Sequence, residues 1–153
     1  KILNILILGS GEPSVEHALY SLNNKWVGYY NTQISYNEKL SHQMYAGADF
    51  LLMPSRVEPC GLNQLYAMRY GTMPLVRKTG GLKDTVPDFG DEGGYGITFI
   101  QASVEDITHA MQRAITLYNN QKQLNKLRET MMNVNNSWEQ SASKYIDLYS
   151  SIL

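Results

Sequence analysis

Residues 51–86, LLMPSRVEPCGLNQLYAMRYGTMPLVRKTGGLKDTV, constrain this chain more than any other stretch. The apolar run FLLM at 50–53 reads as a strand, and PSRVEPCG at 54–61 reads as a loop. Leu62, Leu65, Tyr66 and Met68 then recur at helical spacing through Tyr70, and Gly71 stops the helix. A second strand at 73–76 runs into RKTGG at 77–81. Two strand–loop–helix units therefore follow each other, each with glycine at the strand's C-terminal end. In open α/β sheets that end is where ligands bind.

The loop chemistry narrows the ligand. Gly61 precedes a helix whose first turn has unpaired N–H groups and a partial positive charge. With no side chain there, a phosphate can approach the backbone closely. Glu58, in the same loop, is a poor phosphate ligand but a good acceptor for hydroxyls. The second loop offers the Gly80 and Gly81 amides and the Thr79 hydroxyl, with positive charge from Arg77 and Lys78. A phosphate site beside a hydroxyl-binding acid points to a nucleotide-sugar. The glycines also read as turn residues and Glu58 as a solvated loop acid, and spacing does not separate the two readings.

The run PSRVEPCGLNQLYAMRYGTMPLVRKTGGLKDTV resembles the nucleotide-sugar site of bacterial glycogen synthases and plant starch synthases. The likeness extends upstream through ISYNEKLSHQMYAGADF and downstream to SWEQSASKYIDLYSSIL, covering nearly the whole chain. It implies the C-terminal, donor-binding half of a GT-B fold, present as one Rossmann-like domain over residues 1–153. It also implies a retaining transfer of glucose from ADP-glucose to the non-reducing end of an α-1,4-glucan, without a metal. By this resemblance Glu58 is the catalytic-site carboxylate, holding sugar hydroxyls. Cys60 and Gly61 lie close to the glucose, and Leu62 and Asn63 present amides to the diphosphate. Tyr36 stacks on adenine, and Thr79, Gly80 and Gly81 line the second donor loop. The diphosphate leaving group takes the acceptor's proton, so no strong protein base is required.

Two positions depart from related enzymes. Many retaining GT-B transferases carry a second glutamate eight residues after the first, where this chain has Tyr66. Asn63 stands where many relatives have threonine, so only its backbone amide carries over. The resemblance also places the diphosphate-clamping arginine and lysine, and the acceptor domain with its histidine, outside this segment. The expectation is a fragment inactive by itself, meeting the glucan through a missing N-terminal domain. Another retaining GT-B enzyme using a UDP- or GDP-sugar remains an alternative, as does a free-standing nucleotide- or glucan-binding module.

Composition excludes other classes. The chain has 153 residues, 43% hydrophobic and 18% charged, which suits one globular domain. A net charge of −1 without a basic block argues against a nucleic-acid partner. The single cysteine, Cys60, allows no internal disulfide. His17 and His109 lack carboxylate or cysteine partners at metal-ligand spacing, and His42, inside a helix, reads as structural or solvated, so no metal is expected. No apolar run approaches the roughly 20 residues that span a bilayer, and KILNILIL at the start lacks a signal peptide's features. The expected location is the cytoplasm.

Along the chain, residues 2–8 read as a parallel strand buried on both faces. A Gly-x-Gly turn and a helix from Pro13 follow. WVGYY at 26–30 reads as the next strand, followed by ISY at 34–36 and a helix over 37–46. The glycine-rich acidic loop 87–94 reads as mobile and precedes a strand at 96–100. SVED at 103–106 and SWEQ at 137–140 are capping boxes that open helices. A polar helix runs from Gln121 to about Met132. The last helix, about 137–152, carries Trp138, Ala142, Tyr145, Ile146, Tyr149 and Ile152 on one stripe. That stripe is expected to cross to the missing domain, dock on this one, or drive self-association.

Overall fold

The computed structural model describes residues 3–153, so the expected strand's Ile2 lies outside the described residues. The chain forms two compact units, one ending at Gly47 and the other spanning Ala48–Leu153. All the strand pairings are parallel.

In the first unit, β1 (Ile5–Gly9) pairs with β2 (Tyr30–Ile34) around α1 (Pro13–Lys25), and α2 (Glu38–Gly47) follows. Two expectations change here. The apolar segment 26–29 is a turn, in which the Trp26 carbonyl accepts from both the Tyr29 and Tyr30 N–H groups. Gly28 has φ +84°, which an extended strand does not use. The strand is instead the polar run YNTQI. Its Thr32 N–H donates to Asn23 Oδ1 at 2.7 Å, and Asn23 Nδ2 donates back to the Thr32 carbonyl at 3.2 Å. The amide of Asn23 thus does for β2 what a neighbouring strand would do. The second change is that β1 is not buried on both faces, since Ile5 and Leu6 are exposed.

The second unit is a three-stranded sheet in the order β3 (Phe50–Met53), β4 (Met73–Arg77), β5 (Ile97–Phe99). Around it lie α3 (Asn63–Tyr70), α4 (Gly80–Thr85), α5 (Val104–Asn119), α6 (Gln121–Met132) and α7 (Trp138–Ile152). Side chains alternate across β4 with period two. Met73 and Leu75 join Ile97, Phe99, Ala114, Leu117, Leu124 and Met131 in one core. Val76 joins Met53, Leu82 and Val86 in another. The central strand is therefore buried on both faces, as parallel sheets require. Each large apolar side chain so buried contributes about 1.5–3 kcal/mol.

The 87–94 loop is tied down at its base, contrary to its composition. Asp88 bridges to Gly96, and Arg113 forks onto the Asp88 carboxylate at 2.6 and 3.0 Å. The Thr98 N–H and hydroxyl and the Gly90 N–H also donate to it. Burial pushes the Asp88 carboxyl up, but the bonds from Arg113, Gly90 and Thr98 outweigh it and hold the pKa at about 2, below the ordinary 3.8. A depressed folded-state pKa stabilises above the unfolded value and is lost as pH falls through the folded one. Stability should therefore drop between pH 3.8 and about 2. Asp88→Asn should remove that slope and cost about 3 kcal/mol at neutral pH by stranding the Arg113 charge. Thermal melts across this pH range check it; equal slopes in both proteins contradict it.

The expectation that α7 might dock on its own domain is not met. Every residue from 138 to 153 is exposed. Trp138 is 88% exposed, and Tyr145 and Tyr149 tilt against each other along the helix.

Candidate functional site

The loop between β3 and α3 and the loop between β4 and α4 pack backbone against backbone. The Gly81 N–H donates to the Glu58 carbonyl at 3.1 Å. A Cβ on Gly80 would lie 1.9 Å from that carbonyl oxygen, and one on Gly81 would lie 2.2 Å from the Cys60 carbonyl oxygen. Only glycine allows this approach, and Gly80 also holds φ +46°. The structure therefore brings Glu58, Cys60, Gly61, Thr79, Gly80 and Gly81 together. It also corrects one detail. The Gly81 amide, expected to face a ligand, is spent on Glu58.

The carbonyls of the first loop turn toward the protein. Arg77 Nη1 donates to the Arg56 carbonyl at 2.8 Å and to that of Ser55 at 3.3 Å, while its Nε holds the Ile100 carbonyl at 2.9 Å. Arg77 is thus a brace for the loop, not a free phosphate ligand. Lys78 faces Asp91 at 4.0 Å, an exposed pair of little energetic weight. Gln64, fully buried, holds the Cys60 and Gly61 carbonyls. With the carbonyls occupied, the backbone N–H groups of Cys60, Gly61, Leu62 and Asn63 have no acceptor among the described residues.

Helix capping sets these two loops apart. Side chains of Glu12, Asn37, Ser103, Asn120 and Ser137 cap α1, α2, α5, α6 and α7. Among the described helices, α3 and α4 alone begin without a side-chain cap. In α4 the Gly81 N–H donates to the Glu58 carbonyl and the Leu82 N–H to that of Thr79, whereas at α3 the amides keep the donors and partial positive charge that an anion completes. Glu58 sits half-buried beside them. Its Oε2 accepts from Ser55 Oγ at 3.2 Å, and its Oε1 has no donor among the described residues. Cys60 is a free, exposed thiol. Asn63 is the first residue of α3, and its amide is among the unpaired ones.

Tyr36 lies in the first unit, after the C-terminal end of β2, with 87% of its surface exposed. No group of three or more His, Cys, Asp or Glu that could hold a metal occurs among the described residues.

Sequence reading missed Gln64, and it saw in Arg77 only a positive charge, not its carbonyl partners. The signal for Gln64 was available. It shares a helix face with Ala67 and Met68, both buried, and a polar side chain there needs buried partners.

Parallel strands with helices on their flanks make a Rossmann-like α/β fold, and superposition on a starch synthase makes it that of a GT-B glycosyltransferase domain. Residues 4–131 match the family "Glycosyl transferases group 1", and the chain belongs to that family. A glycogen synthase of Flavobacterium johnsoniae is 54% identical over 151 residues, covering 99% of this chain and 32% of the relative. One from Finegoldia magna is 44% identical over 153 residues, again 32% of its length. The chain thus spans about a third of the curated relatives it matches. The catalytic domain of Arabidopsis thaliana starch synthase IV, solved with ADP and acarbose, superposes at TM-score 0.85 and 28% identity. That match covers 98% of this chain and 38% of the other. A sucrose-phosphate synthase from Thermosynechococcus elongatus shares the fold at TM-score 0.68 and 21% identity, over 96% of this chain and 38% of its own. Among the described residues, no helix is long and apolar enough to cross a membrane.

Proposed function

We propose that this chain is the donor-binding part of a retaining glucosyltransferase of the glycogen and starch synthase type. The donor is ADP-glucose, and the acceptor is the non-reducing end of an α-1,4-glucan. The observation that carries this reading is the uncapped start of α3, with the unpaired amides of residues 60–63, beside the half-buried Glu58 carboxylate. The unpaired amides of residues 60–63 suit the diphosphate, and the free carboxylate oxygen suits sugar hydroxyls. The starch synthase IV that this chain superposes on was solved with ADP.

In this reading the protein supplies placement and charge stabilisation rather than a strong base. Backbone amides stabilise charge growing on the departing diphosphate, which itself takes the acceptor's proton. Glu58 holds the glucose while the bond to phosphate lengthens. No metal enters the step. The glucan acceptor meets the part of the relatives' length that this chain does not cover.

The exposed ring of Tyr36 supplies a stacking surface for the adenine base. ADP should therefore bind more tightly than UDP. Tyr36→Ala should cost ADP about 1–3 kcal/mol, the scale of base–aromatic stacking, and narrow the gap. Calorimetry with both nucleotides tests this. Equal binding, or a preference for UDP, would move the assignment to another nucleotide-sugar.

A further inference from the structure

Gln64 carries more of this site than its place inside a helix suggests. It is 0% exposed. Its Nε2 lies 2.9 Å from the Gly61 carbonyl, 3.2 Å from that of Cys60, and 3.1 Å from the Thr85 hydroxyl at the end of α4. Thr85 in turn donates its proton to the Gly81 carbonyl at 2.7 Å. One side chain thus connects the backbone of the first loop to that of the second.

The rest of the geometry fits this role. The Thr85 proton is committed to Gly81, so its oxygen can only accept from Gln64, and this sets which way the amide points. The amide oxygen then faces Gly61 and finds no partner, though fully buried. A Cβ on Gly61 would meet it at 2.6 Å, and Gly61 itself holds φ +72°. An orphaned buried acceptor costs stability. It is tolerated here where the nitrogen at the same end of the side chain reaches three oxygens. With the Cys60 and Gly61 carbonyls turned inward, the Gly61 and Leu62 N–H groups of the same peptide planes point the other way and have no acceptor among the described residues.

We infer that Gln64, acting through Thr85, is a positioning residue for the donor diphosphate. It fixes the peptide planes of Cys60 and Gly61 and the spacing of the two glycine loops. The inference rests on the donor-site reading above. Gln64 touches no substrate and acts only through the loop backbone.

The test uses the complete protein. Gln64→Met keeps the side chain's length and removes its donors. The KM for the nucleotide-sugar should rise about ten- to a hundredfold, the scale of a small misplacement at a reacting centre. The glucan KM should stay at its wild-type value. Binding of ADP, and of UDP in parallel, should weaken by a similar factor. Thr85→Val should shift the donor KM in the same direction, and Thr85→Ser, which keeps the hydroxyl, should restore it. A merely structural role would not divide donor from acceptor or respond to that hydroxyl. A folded Gln64→Met protein with wild-type donor KM overturns the inference. If that variant does not fold, equal donor KM values for Thr85→Val and Thr85→Ser overturn it. A wild type that binds neither ADP nor UDP defeats the donor-site reading itself. A wild type that binds UDP alone changes the nucleotide and leaves the Gln64 role to be judged with UDP.

Discussion

Gly81→Ala is expected to force the two glycine loops apart and to remove most nucleotide affinity. The added methyl would sit 2.2 Å from the Cys60 carbonyl oxygen, and the obstructing atoms are backbone, which cannot rotate away. The Gly81 N–H bond to Glu58 would stretch with it. Overpacking of this kind costs about 1–3 kcal/mol, which in a domain of this size lowers the melting temperature by roughly 3–10 °C. The effect on binding should exceed the effect on folding, because the loops can part while the two cores stay packed. Gly80→Ala should be worse, since it adds a 1.9 Å approach to Glu58 and a left-handed backbone at φ +46°. Gly47→Ala is the control. A Cβ there meets nothing within 4 Å, and its stability should be unchanged or slightly raised. Nucleotide calorimetry and thermal melts check all three. Wild-type affinity in Gly81→Ala would mean that the loops are not held at this spacing.

The elements that the sequence made legible are those whose signals are local. The Ser103 and Ser137 capping boxes placed the starts of α5 and α7. Gly71, in the left-handed region at φ +82°, ended α3 where a glycine stop was read. What failed depended on distant partners. YNTQI looks too polar for a strand until Asn23 is seen bonding its edge. WVGYY looks apolar enough for one, yet Gly28 turns the chain. The 87–94 loop reads as mobile because Arg113, which pins it, comes 25 positions after Asp88.

The site divides in the same way. That Glu58, Gly61, Gly80 and Gly81 lie in segments following the C-terminal ends of β3 and β4 was legible from the strand–loop–helix pattern. The parts played by Arg77 and Gln64 were not, because they are defined by carbonyls these side chains reach across the fold. Arg77 ends β4 yet grips residues 55 and 56 after β3. A positive charge next to two glycines suggests a phosphate ligand. The structure instead spends it on the Ser55, Arg56 and Ile100 carbonyls, bracing the first loop.

Glu58→Gln in the complete protein should cut transfer strongly and leave the fold intact. The side chain keeps its size, and Ser55 can still donate to the amide oxygen that replaces Oε2. What changes is the free oxygen, Oε1, which becomes either a donor or a neutral acceptor. A sugar hydroxyl that donated to a carboxylate then loses a charge-assisted bond, worth about 1.5–3 kcal/mol. If the bond acts in the transition state, that is about ten- to a hundredfold in rate. The loss should fall mainly on kcat, because charge on the reacting sugar grows as the bond to phosphate breaks. ADP affinity should barely move, since ADP lacks the glucose and the amides of 60–63 are untouched. This pattern separates Glu58 from Gln64 and Gly81, whose changes weaken ADP itself. Steady-state rates with the nucleotide-sugar, set beside ADP calorimetry, give both readings. Near-normal kcat would return Glu58 to a loop acid hydrogen-bonded to Ser55.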